Sequence, residues 1–463
     1  MYQMKLEELP FSALSAHEPI PCDCGKIHIP CCGKTVIERG ALRQIPELLK
    51  PFGAKRVFLL ADPNTYRAAG KEIVRILGEA GISCTEYVYR EERPKPDEVT
   101  AGAALMHFDP KCDFIIAVGG GVMNDTGKLL ASAAHLPYMI AATAPSMDGF
   151  ASASSSMDRD GLKISLSTKA ADVIIADTEI LAQAPMKLIA SGLGDMLAKY
   201  VSICEWRIAR LLIGEPYCEH VASMVRGALR RCTEAKDGLL ARDPDAVKSV
   251  MEGMVIAGVS MNYAGLSRPA SGMEHYISHI WDMRGLAFGT NTETHGIQAA
   301  LGTVLSLRAY AWLRERMPAA LTGEQKRTIR EKALSYVSAF SLDKWEEQLR
   351  LWLGTGAEAI IAGEHREHKY DRDKHAARLE RILDNWETIL SIMREELPEV
   401  SEVESLMREL GMPLTPREAG FTAEEERIAF LCAKDIRDKY VLGRLLWDLG
   451  LLEDCADAIL SKE

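Results

Sequence analysis

The sequence predicts an N-terminal α/β domain with a parallel, Rossmann-like sheet, followed by a C-terminal all-α domain. Three observations predict this class. Short apolar runs alternate with helical patterns up to about residue 177, as in parallel α/β sheets. A run of glycines follows one of these strands and opens a helix. From about residue 185, apolar positions recur three and four residues apart. We therefore predict one domain over residues 1–184 and a second over 185–463.

One predicted strand, at 56–62, is a continuous apolar run, which is typical of parallel strands buried on both faces. The predicted strands are RVFLLAD (56–62), CTEYVYR (84–90), DFIIAVGGG (113–121), PYMIAA (137–142) and VIIAD (173–177), with short strands also expected within 26–42. Helices are predicted at 42–51, at about 66–80, up to Met106, and at about 123–134. The stretch 152–167 predicts a β-hairpin that turns at Asp160 and Gly161.

In the helical domain, the charged stretch 364–396 predicts a solvated outer helix. Its histidines, His365, His368 and His375, lie among Glu, Arg and Lys, so we expect them at the surface. No internal repeat is present in the sequence.

Composition and charge narrow the class of protein. The chain has 463 residues, 47% of them hydrophobic, enough for two or three domains of roughly 150 residues each. The formal net charge of −11 disfavours binding to nucleic acid or anionic membranes. No apolar run reaches the length of about 18 residues that a transmembrane helix needs, and the first residues do not resemble a signal peptide. We expect a cytoplasmic protein without membrane insertion, assembled as a homodimer or higher homo-oligomer.

The segment AVGGGVMNDTGK places Gly119, Gly120 and Gly121 between a strand and a helix. Glycine allows the backbone to approach phosphate oxygens, and the helix N-terminus adds free N–H donors. The alternative interpretation is a tight strand–helix turn. Thr143 and Ser146, in the segment TAPS, end the next strand at the same sheet edge. Ligands of open α/β sheets bind at that edge, which favours the phosphate site.

Two aspartates near this edge have competing interpretations. Asp62 directly follows a strand, so it could accept hydrogen bonds from a ribose or cap the following helix. Asp148 lies two residues beyond TAPS, where it could contact a substrate hydroxyl or lie at the surface of a loop.

One carboxylate and three imidazoles in the second half are candidate metal ligands. Asp195 follows SGLG and is predicted to open a helix, and His295 begins another. His275 and His279 are four residues apart and therefore share a helix face. A carboxylate with two imidazoles leaves coordination positions open, as catalytic sites do. Such a set suits zinc, nickel or ferrous iron and does not choose among them.

Most of the eleven cysteines are isolated, Cys218 among them, and are interpreted as small core residues. The exception is PCDCGKIHIPCC, which holds Cys22, Cys24, His28, Cys31 and Cys32. These thiols and the imidazole could bind zinc, but their spacing differs from the usual knuckle patterns. The alternative is an N-terminal hairpin with incidental thiols, and we assign the segment no role.

Five strings resemble the iron-containing alcohol dehydrogenase superfamily, which includes glycerol dehydrogenase and, more remotely, dehydroquinate synthase. They are GGGVMNDTGK, TAPSMDGFASASS, GLGDMLAKY, RPASGMEHYISH and THG, in this order. Within the superfamily the chain is most similar to bacterial sn-glycerol-1-phosphate dehydrogenases, over roughly residues 33–310. The resemblance implies a dehydroquinate synthase-like fold, with a dinucleotide-binding first domain and a metal- and substrate-binding second domain.

The resemblance also implies roles for individual residues. The residues implied to contact NAD(P)H are Gly119, Gly120, Gly121, Val122, Met123, Thr143, Ser146 and Ser152, with Asp62 near the adenosine ribose. Asp148 and His279 would hold the substrate, and Asp195, His275 and His295 would ligate one divalent zinc, nickel or iron ion.

The implied reaction is reduction of dihydroxyacetone phosphate to sn-glycerol 1-phosphate, the backbone of archaeal-type lipids. Lys163 and Arg268 are both candidates for the cation that holds the substrate phosphate. The alternative is a glycerol or other polyol or alcohol dehydrogenase of the same superfamily. A dehydroquinate synthase-like lyase and a nucleotide sensor are further alternatives, and the intact metal ligands argue against the sensor.

Overall fold

The computed structural model describes Phe11 and residues 19–29, 32–160 and 162–460. The described chain divides into two compact units. Unit 1 contains the residues up to Met196 together with Cys218–Ala270, and unit 2 contains Leu197–Tyr217 together with the residues from Ser271 onward. The predicted assignment of cofactor binding to 1–184 and of metal and substrate binding to 185–463 stays a prediction.

Unit 1 is built on a parallel sheet, as predicted, and this sheet has six strands. Its strands are β3 (Lys34–Glu38), β4 (Arg56–Ala61), β5 (Ser83–Val88), β6 (Phe114–Gly119), β7 (Tyr138–Ala142) and β10 (Val173–Asp177). Their order across the sheet is β3-β10-β7-β6-β4-β5. All residues of β6 and β7 are buried, whereas β5 at the sheet edge is half-buried, which explains its less apolar sequence.

Two antiparallel pairs stand apart from this sheet. They are β1 (Ile20–Pro21) with β2 (Ile27–His28), and β8 (Ser154–Arg159) with β9 (Leu162–Ser167). Arg159 pairs with Leu162, so the chain reverses at the predicted turn, whose Gly161 lies outside the described residues. Asp160 adopts a φ of 53°, the left-handed conformation that two-residue hairpin turns require.

The helices of unit 1 connect the strands and then continue beyond them. They are α1 (Ile45–Leu49), α2 (Pro63–Thr65), α3 (Lys71–Glu79), α4 (Glu98–His107), α5 (Gly121–Ala134), α6 (Thr178–Gln183), α8 (Glu219–Glu234), α9 (Lys236–Leu240) and α10 (Pro244–Ala264). Short 3-10 segments lie at Ala41–Gln44, Lys50–Phe52 and Gly149–Ala151, and a π-helical turn at Tyr66–Gly70 joins α2 to α3. Helix α7 (Met186–Ile213) belongs to unit 1 up to Met196 and to unit 2 from Leu197.

Unit 2 is helical throughout the part of it that the structure describes, as the sequence predicts. Its helices are α11 (Met273–Phe288), α12 (His295–Arg316), α13 (Gly323–Ser338), α14 (Leu342–Leu353), α15 (Ala357–Glu367), α16 (Arg372–Asp384), α17 (Trp386–Glu396), α18 (Val400–Glu409), α19 (Ala423–Cys432), α20 (Leu442–Asp448) and α21 (Leu452–Ile459), with a 3-10 turn at Gly354–Gly356. Among the described residues of either unit, no helix is both long and apolar enough to cross a bilayer.

The prediction for residues 364–396 is wrong in two respects. The stretch contains α16, α17 and the end of α15 rather than one helix. His365 and His368 are exposed as expected, but His375 is fully buried and its Nε2–H donates to the Asp448 carbonyl at 2.9 Å. The charged residues around His375 occupy the outer face of α16, while His375 itself lies on the inner face with Leu379.

Candidate functional site

The carboxyl ends of β4, β6 and β7 lie at one edge of the sheet. Along the chain, β5 is added on one side of β4 and β6 then pairs on the other side. Such a reversal of strand order opens a crevice beyond the carboxyl ends, where open α/β sheets bind ligands. Ala61 pairs with Val118, and Gly119 pairs with Ala142. The residues that follow these strands, Asp62, Gly120 and Thr143, are therefore neighbours at this edge.

The glycine segment forms the beginning of α5. Gly120 is the residue that caps the N-terminus of this helix. A Cβ at Gly119 would lie 2.6 Å from Met123 Cγ, and one at Gly120 would lie 3.2 Å from Ser146 Oγ. The Thr143 N–H donates to the Gly119 carbonyl at 3.2 Å. The structure thus brings Thr143 and Ser146 to the glycines, where a side chain would meet its neighbours, beside the N–H groups of a helix N-terminus.

The next two residues of the predicted cofactor segment differ in exposure. Met123 is buried, at 1% exposure, so its side chain belongs to the core. Val122 is half-buried. At Met123, only the backbone could face a ligand.

Asp62 caps the helix that follows β4. Its Oδ1 accepts from the backbone N–H of Asn64 at 2.8 Å and of Thr65 at 3.0 Å, and Thr65 completes a capping box. This arrangement is the capping alternative that the sequence left open. Both bonds end on Oδ1, so capping occupies one of the two carboxylate oxygens.

Lys128 is hydrogen-bonded to the loop that follows Asp148. Its fully buried ammonium donates to the carbonyls of Gly149 and Ser154 and to Ser152 Oγ, and it pairs with Asp125 at 2.9 Å. Burial raises the pKa of the Asp125 carboxyl, and the positive charge of Lys128 opposes that rise. The Ser152 hydroxyl also donates to the Gly149 carbonyl at 3.0 Å, so it makes a hydrogen bond within the loop.

Asp195 lies within α7, not at its start. The helix begins at Met186, so the prediction that Asp195 opens a helix is wrong. Gly192, three residues before Asp195, allows a close approach, because a Cβ there would lie 1.8 Å from the Pro145 carbonyl oxygen. This close approach brings the 145–148 loop to α7, where the Asp148 N–H donates to Asp195 Oδ2 at 2.8 Å. Asp195 is fully buried and Asp148 is half-buried.

Three imidazoles come together in unit 2. His275 and His279 lie one turn apart on α11, and His295 is the first residue of α12. The ring centroids are 5.1 Å apart for His275 and His295, 6.1 Å for His279 and His295, and 6.4 Å for His275 and His279. His275 is buried and the other two are half-buried. Rings at these separations can direct nitrogens to a common ion.

The chain matches known proteins over most of its length. A model of the family described as iron-containing alcohol dehydrogenase matches residues 36–185. A protein of Halalkalibacterium halodurans named glycerol-1-phosphate dehydrogenase (NAD(P)+) is 33% identical over 293 residues, which cover 62% of this chain and 73% of that protein. A Bacillus licheniformis protein of the same name is 34% identical over 293 residues with the same coverage. The chain belongs to the glycerol-1-phosphate dehydrogenase family of iron-containing alcohol dehydrogenases.

The fold is that of the wider family as well. The crystal structure of glycerol dehydrogenase from Schizosaccharomyces pombe superimposes with a TM-score of 0.56 at 17% identity, over 92% of this chain and 90% of that one. At this identity the likeness shows the fold alone. The predicted combination of a parallel-sheet domain with a helical domain is therefore confirmed.

This member of the glycerol-1-phosphate dehydrogenase family has an orienting residue that the sequence analysis missed. Glu274 Oε1 accepts from His275 Nδ1 at 2.9 Å and from the Gly272 N–H at 2.6 Å. A carboxylate that accepts from Nδ1 fixes the proton there and leaves the Nε2 lone pair for a metal. The only sequence signal was an acidic residue directly before His275.

Packing of α12 on α11 sets the distance between His275 and His295 in this dehydrogenase family member. Gln298 Nε2 donates to Ser278 Oγ at 3.1 Å and to Asp282 Oδ1 at 2.8 Å, which joins the two helices. A Cβ at Gly302 would lie 2.3 Å from the Glu274 carbonyl oxygen. A glycine is therefore required where the helices approach, and its position seven residues after His295 was the available signal.

Proposed function

We propose that this chain reduces dihydroxyacetone phosphate to sn-glycerol 1-phosphate, using NADH or NADPH and one divalent cation. The observation that carries the proposal is the set of relatives named glycerol-1-phosphate dehydrogenase, two of which are 33% and 34% identical to this chain over 293 residues. The glycine segment at the N-terminus of α5 and the grouped imidazoles of unit 2 support it.

We propose that Asp195, His275 and His295 hold the cation. Support comes from the close rings of the two histidines, from the Glu274 carboxylate that leaves His275 Nε2 unprotonated, and from the burial of Asp195. Oxygen and imidazole nitrogen donors suit zinc, nickel or ferrous iron alike. When bound, the ion polarises the substrate ketone and stabilises the charge that develops on its oxygen.

For the dinucleotide, the proposal assigns the pyrophosphate to the backbone of Gly119–Gly121 at the N-terminus of α5. Thr143 and Ser146 lie beside this backbone and supply hydroxyl groups, while Val122 and Met123 contribute their backbone. Asp62 Oδ2 would accept from the ribose, because Oδ1 caps α2. Ser152 is also proposed to contact the dinucleotide, although its hydroxyl already contacts the loop. The bound cofactor supplies the hydride.

For the substrate, the proposal gives two residues distinct tasks. The half-buried carboxylate of Asp148 accepts a hydrogen bond from a substrate hydroxyl and so orients the ketone. The imidazole of His279 supplies a proton to the former ketone oxygen, directly or through water, because imidazole titrates near neutral pH. Lys163, half-buried on β9, and Arg268, fully buried, both remain candidates for holding the phosphate.

Substrate selectivity tests the proposal. Purified protein should oxidise sn-glycerol 1-phosphate with NAD+ or NADP+, and a chelator should abolish this activity. The 3-phosphate enantiomer should be nearly inert and glycerol a far poorer substrate, because the phosphate provides binding energy that orients the reacting carbon. Equal oxidation of glycerol would assign the chain to the glycerol dehydrogenase activity instead.

Asp148→Asn separates substrate orientation from cation binding. Loss of a hydrogen bond to a charged group costs about 1.5–3 kcal/mol, so turnover of dihydroxyacetone phosphate should fall roughly 10- to 150-fold. Bound metal and NADH affinity should stay unchanged, because the Asp148 N–H that donates to Asp195 Oδ2 belongs to the backbone and is kept in the variant. Asp160→Asn, exposed on the hairpin, is the matched control. Loss of metal in Asp148→Asn would contradict the assignment.

Gly120→Val tests the dinucleotide site. The branched side chain would meet Ser146 and fill the space assigned to the pyrophosphate. NADH affinity in a fluorescence titration should fall at least tenfold, about 1.4 kcal/mol. Gly102→Val, on α4 where nothing lies within 4 Å of the new Cβ, is the control. An unchanged titration in folded Gly120→Val would return the glycines to the plain-turn interpretation.

We further propose a cytoplasmic homodimer or higher homo-oligomer. The cysteines form no disulfide among the residues that the structure describes, which is compatible with a reducing compartment. Light scattering coupled to gel filtration measures the assembly directly, and a monomeric mass would overturn it.

A further inference from the structure

Four side chains of unit 1 that the proposed reaction does not use lie together. They are Cys22, Cys24, His28 and Cys218, and we refer to them as the cysteine cluster. Cys22 Sγ lies 3.7 Å from Cys218 Sγ, although 196 positions separate them in sequence. His28 Nε2 lies 3.5 Å from Cys24 Sγ and 3.6 Å from Cys218 Sγ. Cys218, interpreted from the sequence as an isolated core residue, therefore completes a group begun at the N-terminus.

These distances match the edges of a coordination tetrahedron. With Zn–S near 2.3 Å and Zn–N near 2.0–2.1 Å, a tetrahedral ion sets S···S at about 3.8 Å and S···N at about 3.6 Å. The observed 3.7 Å, 3.5 Å and 3.6 Å agree with those values. All four ligand atoms lie within 4.8 Å of one another. Two thiols at 3.7 Å are not bonded to each other, since a disulfide requires about 2.05 Å.

The imidazole of His28 is already oriented for coordination. It is buried, at 1% exposure, and its Nδ1–H donates to the Tyr263 carbonyl at 3.0 Å. The proton on Nδ1 leaves the Nε2 lone pair directed at the sulfur atoms. A backbone acceptor behind a histidine ligand is the usual outer contact of structural metal sites.

The backbone around the cluster is fixed by the small hairpin. His28 pairs with Ile20 across β1 and β2. The Gly25 N–H donates to the Cys22 carbonyl at 3.1 Å, and Gly25 adopts a φ of 86°, which favours glycine in this turn. Lys26 Nζ donates to the Ala264 carbonyl at 2.9 Å, at the end of α10. The hairpin thus presents its ligands to Cys218, the residue that precedes α8.

We propose that the cysteine cluster binds one zinc ion as a closed structural site, with Cys22, Cys24 and Cys218 as thiolates and His28 through Nε2. Binding releases three thiol protons to solvent and leaves no coordination position for a substrate. Three sulfurs and one nitrogen favour zinc over magnesium, calcium or manganese. The ion ties the N-terminal hairpin to the start of α8, so its binding free energy adds to the stability of unit 1.

Among the residues that the structure describes, the neighbours of the cluster do not form an equivalent set. Cys22 also lies near Asp23 and His220, but this second group has a single sulfur. Asp23 Oδ1 is 3.1 Å from His220 Nε2, and the Asp23 side chain is 73% exposed. Cys32 is fully buried outside the cluster, and burial raises the pKa of its thiol to about 11. Cys31 lies outside the described residues. Asp23→Asn is therefore a control that should retain the metal.

Cobalt substitution tests the proposal on the full chain. Metal-free protein titrated with Co²⁺ should develop a near-ultraviolet thiolate-to-cobalt charge-transfer band and the strong visible bands of tetrahedral cobalt. Cys24→Ser and Cys218→Ser should each lose the charge-transfer band and bind one ion fewer per chain. Cys84→Ser, a thiol of unit 1 outside the cluster, and Asp23→Asn should keep both. The His275→Ala, His295→Ala double variant should keep the thiolate band while losing the other ion.

A measurement on the unaltered protein keeps the test valid if a variant fails to fold. Zinc should protect Cys22, Cys24 and Cys218 together from iodoacetamide, as read by mass spectrometry, and should leave the alkylation of Cys84 unchanged. Absence of the thiolate band in the wild-type cobalt protein would overturn the proposal. So would a full metal complement in folded Cys24→Ser and Cys218→Ser, or zinc-independent alkylation of the three thiols.

Discussion

The cysteine cluster of unit 1 and the histidine group of unit 2 are both sets of metal-ligating side chains, but they differ in completeness. The cysteine cluster has four soft or borderline donors within 4.8 Å of one another, and three of their distances match the edges of a zinc tetrahedron. The histidine group has His275 and His295 with their rings 5.1 Å apart and His279 farther away. A site with four protein ligands is structural, whereas one that keeps positions open can bind a substrate. The number and kind of donors thus distinguish the two proposed metal sites.

The largest expected effect comes from removing the histidine ligands. His275→Ala with His295→Ala should abolish both turnover and the ion of that site. Loss of Lewis-acid stabilisation removes several kcal/mol, which is a fall of about a thousandfold or more. Elemental analysis and the dihydroxyacetone phosphate assay measure the two losses.

His279→Ala is the control for that double variant. It should keep most of the metal while losing turnover or substrate affinity, because the proposal places it beside the ion and not on it. A full metal complement in the double variant would show that these histidines are not the ligands. Loss of metal in His279→Ala alone would show that His279 is a metal ligand.

An intermediate effect is expected from Glu274→Gln. The amide preserves shape but no longer provides a carboxylate for His275 Nδ1–H and the Gly272 N–H. Loss of such an outer contact lowers metal affinity or activity about 10- to 100-fold. A competitive chelator titration measures the affinity. The thiolate band of the cysteine cluster should stay unchanged. If Glu274→Gln bound the metal with wild-type affinity, the carboxylate would have only a packing role.

The smallest effect on catalysis is expected from Cys24→Ser. A closed site makes no contact with substrate, so turnover at room temperature should remain within about twofold of wild type. The melting temperature should fall instead, because zinc binding no longer stabilises unit 1. Calorimetry with and without chelator checks this. If chelator did not change the melting temperature of the wild type, the cysteine cluster would not be a stabilising metal site. Loss of turnover in folded Cys24→Ser would likewise contradict a purely structural role.

Local patterns were sufficient for the sheet and for the glycine segment. Apolar runs at 56–62, 113–121 and 173–177 correspond to β4, β6 and β10, and the glycines do lie between β6 and α5. Periodicity could not show that β10 pairs between β3 and β7 in the sheet interior, because strand order depends on long-range pairing. The charged neighbours of His375 led to the wrong prediction that it lies at the surface, because a single inward position on a charged helix has no distinct pattern.

The sequence by itself determined the two classes of architecture, the candidate residues and their chemical types. The tertiary structure decided which of those residues are neighbours. Cys218 reaches Cys22 across 196 positions, Gly192 admits the Pro145 carbonyl to α7, and Gly302 admits the Glu274 carbonyl to α12. Each of these contacts forms where two chain segments pack closely, and the distance between the segments depends on the shapes of both. A sequence pattern within one segment predicts the conformation of that segment, but it does not predict which other segment packs against it.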